Sequence, residues 1–559
     1  MSHPLFERHR ALLERALKAI AERGYWSPFP ESPSPKVYGE GSADAGKAAF
    51  DALANRPYPI SLPGTIGSVG GERSPYGIEL GITYPRVDLD PLFAAIAVAE
   101  KTWRKAGPEA WVGVSLEILT RINKKSFEIA HAVMHTTGQA FVMSFQAGGP
   151  HAQDRGLEAV AYAWDEMRRI PASAYWEKPQ GKNEPLKMEK RYAIVPRGVG
   201  LVIGCNTFPT WNGYPGLFAS LATGNAVIVK PHPNAILPLA ITVQIAREVL
   251  TEAGFDPNVV ILVAHQADDD TAQTLALRPE VKLIDFTGSS AHGAWLERNA
   301  QQAQVFTEKA GVNQIVIDSA DDFAGVARNI AFSLTLYTGQ MCTAPQNIYV
   351  PRGGIDTADG HLSLDHVAQG LAAAVQKLVG DPARAVEILG AVVNDGVAER
   401  IHAARSLGAV VHDSQSITHP QFPDARIATP LIVKLDATDD AKYLKEWFGP
   451  IAFVIATDGT AQSLDIARRA VVDHGALTLS LYTNRPDVIE ETVALAEETG
   501  VALSINLTGG VFVNQSSAFS DYHGTGANPA ANAALTDAAF VAGRFRVVQH
   551  RLHVAAAPQ

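Results

Sequence analysis

The chain of 559 residues is predicted to be an α/β protein built on a Rossmann-like parallel sheet. Between residues 225 and 299, runs of continuous apolar residues alternate with helical patterns. Those runs lack the in–out alternation of a half-solvated sheet, as expected of strands covered on both faces. The length also exceeds what one core holds, about 250–300 residues, so more than one domain is expected.

The elements follow in order. The N-terminus, "SHPLFERHRALLERALKAIAERG", spaces apolar residues as an amphipathic helix and has no apolar signal-peptide core. Residues 25–40 are rich in proline and predict an irregular, partly extended surface segment. Helical patterns fill 89–169. "NAVIVKP" (225–231), "NVVILVA" (258–264) and "VKLIDFTGS" (281–289) are β-branched strands; 237–254 and 270–277 read as the helices between them. "GVGLVIG" (198–204) lacks the dinucleotide fingerprint spacing and reads as a turn between strands.

Composition narrows the function. Net charge is −11, 19% of residues are charged, and mean hydropathy is near zero. With no basic run, neither nucleic acid nor a membrane surface is an expected partner. No stretch approaches a membrane span. Two cysteines suit a reducing cytoplasm. His131 and His135 stand one helical turn apart but lack a third ligand, so no metal is expected. The run Asp268, Asp269, Asp270 precedes a helix and suits its dipole.

The chemistry-bearing residues lie at strand ends and in one polar stretch. Lys230 ends a strand on the carboxyl edge, where open α/β sheets bind ligands. Gly288 and Ser289, in "FTGSS", join a strand to a helix N-terminus that suits a pyrophosphate. Glu308 stands in an apolar context, where burial would raise its carboxyl toward a general base. Cys342, in "YTGQMCTAP", is a candidate nucleophile.

In this order "VIVKP", "FTGSS", "TEKAG", "YTGQMCTAP" and "EWFGP" resemble the NAD(P)-dependent aldehyde dehydrogenase superfamily from roughly residue 85 to residue 545. The resemblance implies a cofactor domain with a five-stranded sheet, an α/β catalytic domain and a small oligomerisation element. It divides the chain into an N-terminal extension (1–84), a cofactor domain (85–308), a catalytic domain (309–515) and a returning C-terminal segment (516–559). It implies Cys342 as nucleophile and Glu308 as base. Lys230, His232, Gly288, Ser289, Glu446 and Phe448 would serve NADP or NAD, and an aldehyde would be the substrate of a homodimer or homotetramer.

"CNTFPTWNGYPGLFASL" and "DYHGTGAN" further resemble the aldehyde dehydrogenases of phenylacetic acid degradation, the PaaN type, here without a fused hydratase domain. That implies a CoA-linked semialdehyde from a ring-opened aromatic, with any hydratase or hydrolase a separate protein. A CoA-acylating enzyme or a non-catalytic binding protein on the same fold are the rivals. The chain departs from the family pattern in places. Pro233 replaces the ribose-binding glutamate of NAD-preferring members, so NADP is expected to serve at least as well as NAD. The oxyanion asparagine falls on Thr207 in ungapped register, with Asn206 one place earlier, and Asn206 is the favoured donor. Cys205 adjoins it.

Overall fold

Residues 3–554, apart from Asp268 and Ala310, are described by a computed structural model of the protein. The N-terminal amphipathic stretch is helix α1 (Pro4–Glu22), which buries Phe6, Leu13 and Ala16. It packs on α2 (Pro108–Lys124) and α3 (Ala152–Arg168). Between α1 and the first strands, residues 25–40 are irregular save one turn, Pro35–Tyr38.

Strands β1 (Ser173–Gln180) and β2 (Asn183–Pro196) form a long, largely exposed hairpin. The chain then enters a sheet through β3 (Val199–Ile203), α4 (Pro209–Ala222), β4 (Val227–Lys230), α5 (Leu237–Glu252) and β5 (Val260–Leu262). It continues through β6 (Val281–Thr287), α6 (Ser290–Asn299) and β7 (Gln304–Glu308). These five strands are parallel, in the order β5-β4-β3-β6-β7. Register sets Lys230 beside Ile203, Ile203 beside Phe286, and Thr287 beside Glu308. The carboxyl ends therefore share one edge, where the free ends of strands and the N-termini of helices converge.

"GVGLVIG" is thus mostly strand rather than turn. Only Gly198 bends, at φ 149°; Val199–Ile203 is β3, the middle of the sheet, and Gly204 follows it. Gly200 is needed for packing: a Cβ there would stand 2.9 Å from Ser220 Oγ on α4.

The second sheet follows: β8 (Gln314–Ile317), α7 (Phe323–Thr335), β9 (Asn347–Pro351), β10 (Ala409–His412) and β11 (Leu431–Asp436). It is completed by β12 (Ile451–Thr457), β13 (Thr478–Tyr482) and β14 (Ala502–Ile505). Its seven strands lie in the order β10-β11-β12-β9-β8-β13-β14, with β10 antiparallel. The chain ends in β15 (Phe545–His553), which pairs with β2 to complete a three-stranded arm. Among the described residues no helix is long and apolar enough to cross a membrane.

Candidate active site

Cys342 follows α7 through a tight turn in which Tyr337 and Thr338 take left-handed backbone, φ 52° and 54°. Such conformations cost about 1–3 kcal/mol each and persist where surroundings fix them. Here they are fixed by side chains that look merely polar in the sequence. Tyr337 Oη donates to Thr137 O at 2.5 Å, and Thr338 Oγ1 donates to Leu389 O at 2.8 Å. Gln340 Nε2 donates to Tyr337 O and Ala391 O, while its Oε1 accepts from Val393 N. Asn313 Nδ2 donates to the carbonyls of Cys342 (2.7 Å) and Ala344 (3.0 Å). Gly339 could be nothing else, since a Cβ would come 2.6 Å from Gly449 O at φ 60°. The backbone on either side of the thiol is thereby held rigid.

Glu308, the last residue of β7, is buried. Asn212 Nδ2, from the first turn of α4, donates to its Oε2 at 3.2 Å. Its Oε1 lies 3.2 Å from His523 Nε2, and that same nitrogen lies 3.8 Å from Cys342 Sγ. The carboxylate, thiol and imidazole donor atoms fall within 4.8 Å of one another. The sequence expects burial to raise the Glu308 carboxyl. Burial does push upward, but His523, Cys342 and Arg155 together draw it below its ordinary value. The Cys342 thiol goes the other way, pushed well up by burial and then by the Glu308 charge.

His523 escapes sequence reasoning. It lies in an irregular segment with no periodicity, and "DYHGTGAN" is informative only as a whole. The buried ring packs edge-on to Trp211, centroids 4.6 Å apart. Over the other side of Trp211 lies the Arg155 guanidinium at 5.3 Å, itself held by Glu158, Asp521 O and Ser516.

Cys342 and His523 border a cavity of about 470 Å³. Its apolar wall includes Trp26, Met143, Phe208, Trp211, Phe332 and Met341. Glu31, Asp154, Glu387 and His151 supply ionisable groups, and no lysine or arginine lines it among the described residues. Tyr25, Trp26 and Glu31 come from the proline-rich segment, which the sequence places on the surface; Glu31 is tied back to His151 at 2.8 Å.

Asn206 and Thr207 sit between β3 and α4 but are not among the cavity's walls. Asn206 Nδ2 donates to Thr136 O at 3.3 Å, and its buried Oδ1 has no partner among the described residues. Thr207 faces Cys205, with Oγ1 3.9 Å from Sγ, and its carbonyl accepts from Gln139. Asn212, which the sequence does not single out, is the asparagine that meets both the cavity and Glu308. His131 and His135 stack on Phe50. Asp269 caps the helix that follows it through Thr271 N, whereas Asp268 lies outside the described residues.

On the sheet edge the Lys230 side chain is buried without a hydrogen bond or ion pair to a described residue, its ammonium pushed down to about 8 by burial. Gly288 lacks a side chain where a Cβ would meet the Phe286 ring at 2.8 Å. Ser289 caps α6 by accepting from His292 N. A buried lysine beside an open helix N-terminus fits a dinucleotide phosphate or ribose. His232 is half-buried and pushed down to about 4 by burial and Lys230, so it is neutral, and its Nδ1 accepts from Asn234 N. Glu446 and Phe448 precede β12 on the other sheet. Burial pushes the Glu446 carboxyl up to about 7, and the Phe448 carbonyl accepts from Arg400 Nε at 2.7 Å.

A half-buried thiol beside a buried carboxylate at the end of a parallel sheet, near a dinucleotide-type edge, defines a class. The family model described as "Aldehyde dehydrogenase family" matches residues 78–526, and the chain belongs to that family. More particularly, it is 68% identical to an NAD-dependent aldehyde dehydrogenase from Burkholderia multivorans, across the whole of both chains with TM-score 0.99. The fold is shared with 1-pyrroline-5-carboxylate dehydrogenase from Thermus with bound NAD (19% identity, TM-score 0.71, 95% of this chain and 99% of that one). Among curated proteins, benzaldehyde dehydrogenase [NAD(+)] from Pseudomonas putida is 24% identical over 435 residues, 76% of this chain and 80% of that one. The 1-pyrroline-5-carboxylate dehydrogenase of Geobacillus thermodenitrificans is 25% identical over 311 residues, and the alignment spans 54% of this chain and 56% of that relative.

Proposed function

We propose that this chain oxidises an aldehyde to a carboxylic acid with NAD(P), using Cys342 as nucleophile and Glu308 as general base. The observation that carries the reading is the meeting of these two side chains beside a cavity that Cys342 lines. Cys342 Sγ attacks the aldehyde carbon. The Cys342 backbone N–H, which donates to no described group, and the Asn212 amide face the oxygen that becomes charged. A bound dinucleotide supplies the hydride acceptor; Lys230, Gly288, Ser289, Glu446 and Phe448 would hold it. Glu308 then takes a proton from water, which resolves the thioester. Its depressed carboxyl keeps it ionised and ready at neutral pH, at some loss of basicity.

The resemblance to the phenylacetic acid enzymes extends the proposal to a CoA-linked semialdehyde from a ring-opened aromatic. The cavity favours an uncharged, largely apolar aldehyde end, because its walls are aromatic and carboxylate-bearing with no lysine or arginine among the described residues. Any CoA phosphates would remain outside. The exposed apolar residues of the arm, among them Val547, Val548 and Leu552, support a homo-oligomer, and two free cysteines suit the cytoplasm. The domain limits 1–84, 85–308, 309–515 and 516–559 are part of this proposal.

Reduced-cofactor absorbance with an aldehyde panel, with and without free CoA, tests it. Wild type should oxidise aromatic and aliphatic aldehydes without CoA, and anionic semialdehydes poorly. Cys342→Ser should be inactive, and Glu308→Gln should give one equivalent of reduced cofactor in a burst before a slow steady state. Turnover only with CoA would establish the acylating rival, and residual activity in Cys342→Ser within tenfold of wild type would remove the thiol from the chemistry.

A further inference from the structure

Thiolate formation at Cys342 faces an obstacle within the site itself. Glu308 is already an anion, buried and within 4.8 Å, so a thiolate would place two like charges in a poorly solvated space. Among the described residues, His523 is the ionisable group positioned between them. Its Nε2 reaches Sγ at 3.8 Å and Glu308 Oε1 at 3.2 Å, and its ring is clamped edge-on against Trp211. Glu308 Oε1 is buried and lacks a well-aligned hydrogen bond among the described residues, whereas Oε2 is served by Asn212.

We propose that His523 is a catalytic residue, the base that takes the Cys342 proton and, once protonated, bridges thiolate and carboxylate. As the S–C bond forms, the S–H bond breaks and its proton passes to Nε2, while the carbonyl π pair moves onto oxygen. The new Nε2–H then points at Glu308 Oε1, 3.2 Å away, the atom without a well-aligned hydrogen bond at rest. When the thioester is resolved and sulfur leaves as thiolate, the proton returns to Sγ, so the relay consumes nothing. Cys342 and Glu308 can both carry charge in the same turnover because the imidazolium lies between them. The other ionisable groups facing this ring are few. Arg155 lies beyond Trp211, Asp154 lies on the cavity wall, Cys205 sits behind Asn212, and Asp521 and Tyr522 share the ring's own segment. Arg155 is paired with Glu158, which leaves His523 as the cation that can answer the thiolate directly.

This inference rests on Cys342 being the nucleophile, and a reading independent of turnover separates the two. The full-length protein, without cofactor, is alkylated with iodoacetamide across pH, and adducts at Cys342 and Cys205 are quantified by mass spectrometry. In wild type, pairing with the His523 imidazole should offset the upward push of burial and of Glu308, leaving Cys342 reactive below the ordinary thiol range. In His523→Gln its rate at neutral pH should fall at least about tenfold, the transition should move to a pH higher by about one or more, and single-turnover hydride transfer should slow in parallel. Cys205, buried behind Asn212 and not in contact with His523, should change far less. Profiles for wild type and His523→Gln that coincide within twofold would overturn the proposal. So would a wild-type profile with a single ordinary thiol transition, which keeps the test decisive if the variant does not fold. Loss of activity in Cys342→Ser together with coincident alkylation profiles would leave the nucleophile standing and remove only His523.

Discussion

Arg544 holds Asp285 with two parallel hydrogen bonds, 2.8 and 2.6 Å, in the interior beneath the cofactor-type sheet. Asp285 belongs to β6, and Arg544 immediately precedes β15, so the pair fastens the end of the chain to a central strand. The guanidinium also donates to Ser220 Oγ and Phe540 O, and lies 4.3 and 4.2 Å from the rings of Phe306 and Phe540. Gly216 leaves the room, since a Cβ there would come 2.4 Å from Asp285 Cγ.

Stability follows from that pairing. Removing one partner of a buried ion pair leaves the other charge uncompensated and costs about 3–5 kcal/mol. Arg544→Met keeps much of the packing against the two phenylalanines but strands Asp285. Its melting temperature should fall by roughly ten degrees, at about 2–4 °C per kcal/mol. The double change Arg544→Met with Asp285→Asn should recover part of the loss because no unpaired charge remains. Calorimetry showing equal melting for wild type and Arg544→Met would discard this account.

For the oxyanion, the sequence favours Asn206, while the fold presents Asn212 to the cavity. Asn206 is tethered to Thr136 O, and Asn212 Nδ2 has a second N–H beyond the one given to Glu308. Losing an oxyanion donor costs about 10²–10³ in rate. Asn212→Ala should therefore slow single-turnover hydride transfer by about a hundredfold, and Asn206→Ala should stay within about fivefold while melting lower. The opposite ranking would restore the sequence-based choice.

The strands of the cofactor-type sheet are legible because burial on both faces demands continuous β-branched runs, as in Val227–Lys230 and Val281–Thr287. Cys342 and Glu308 are legible because their neighbours are unusual for a strand end and a turn. His523 is not: it reaches the thiol only through long-range closure of an irregular segment, which leaves no local pattern. Trp26 is hidden for a related reason, since a proline-rich stretch reads as surface whether it faces water or roofs a cavity. Gly200 misleads because a glycine that makes room for Ser220 looks the same in sequence as one that turns the chain.

Pro233 brings no carboxylate to repel a 2′-phosphate, which is the ground for expecting NADP at least equal to NAD. In the fold His232 is held neutral, so of the pair Lys230 and His232 only the lysine offers charge. With one cation rather than two at that edge, NADP should fall behind NAD in kcat/KM, by about tenfold (~1.4 kcal/mol). Because Lys230 is pushed down to about 8, NADP should lose ground further as pH rises through that value and the ammonium discharges. Equal or better use of NADP at pH above 8 would contradict both parts.

Glu72 precedes the isolated bridge between Arg73 and Glu79 and reaches Ile236 and Leu237 in the cofactor-type half of the molecule. Its Oε1 accepts from Ile236 N and, at 3.0 Å, from Leu237 N at the start of α5, and its Oε2 accepts from Tyr84 Oη. These three donors favour the carboxylate, yet complete burial outweighs them and pushes the group up to about 7. A carboxyl raised on folding is more costly to ionise inside than in the unfolded chain. Its contribution is thus fully present below the unfolded value near 4.5 and is lost as pH rises through about 7. The loss amounts to a few kcal/mol, because each tenfold change in proton affinity between the folded and unfolded chain is worth ~1.4 kcal/mol. Glu72→Gln keeps an acceptor for Ile236 and Leu237 but cannot ionise. Its melting temperature should vary less between pH 5 and pH 8 than that of wild type, with the variant gaining on wild type toward the alkaline end. Parallel melting curves for the two proteins across that range would show that donation from Tyr84 and the α5 backbone keeps Glu72 ionised throughout.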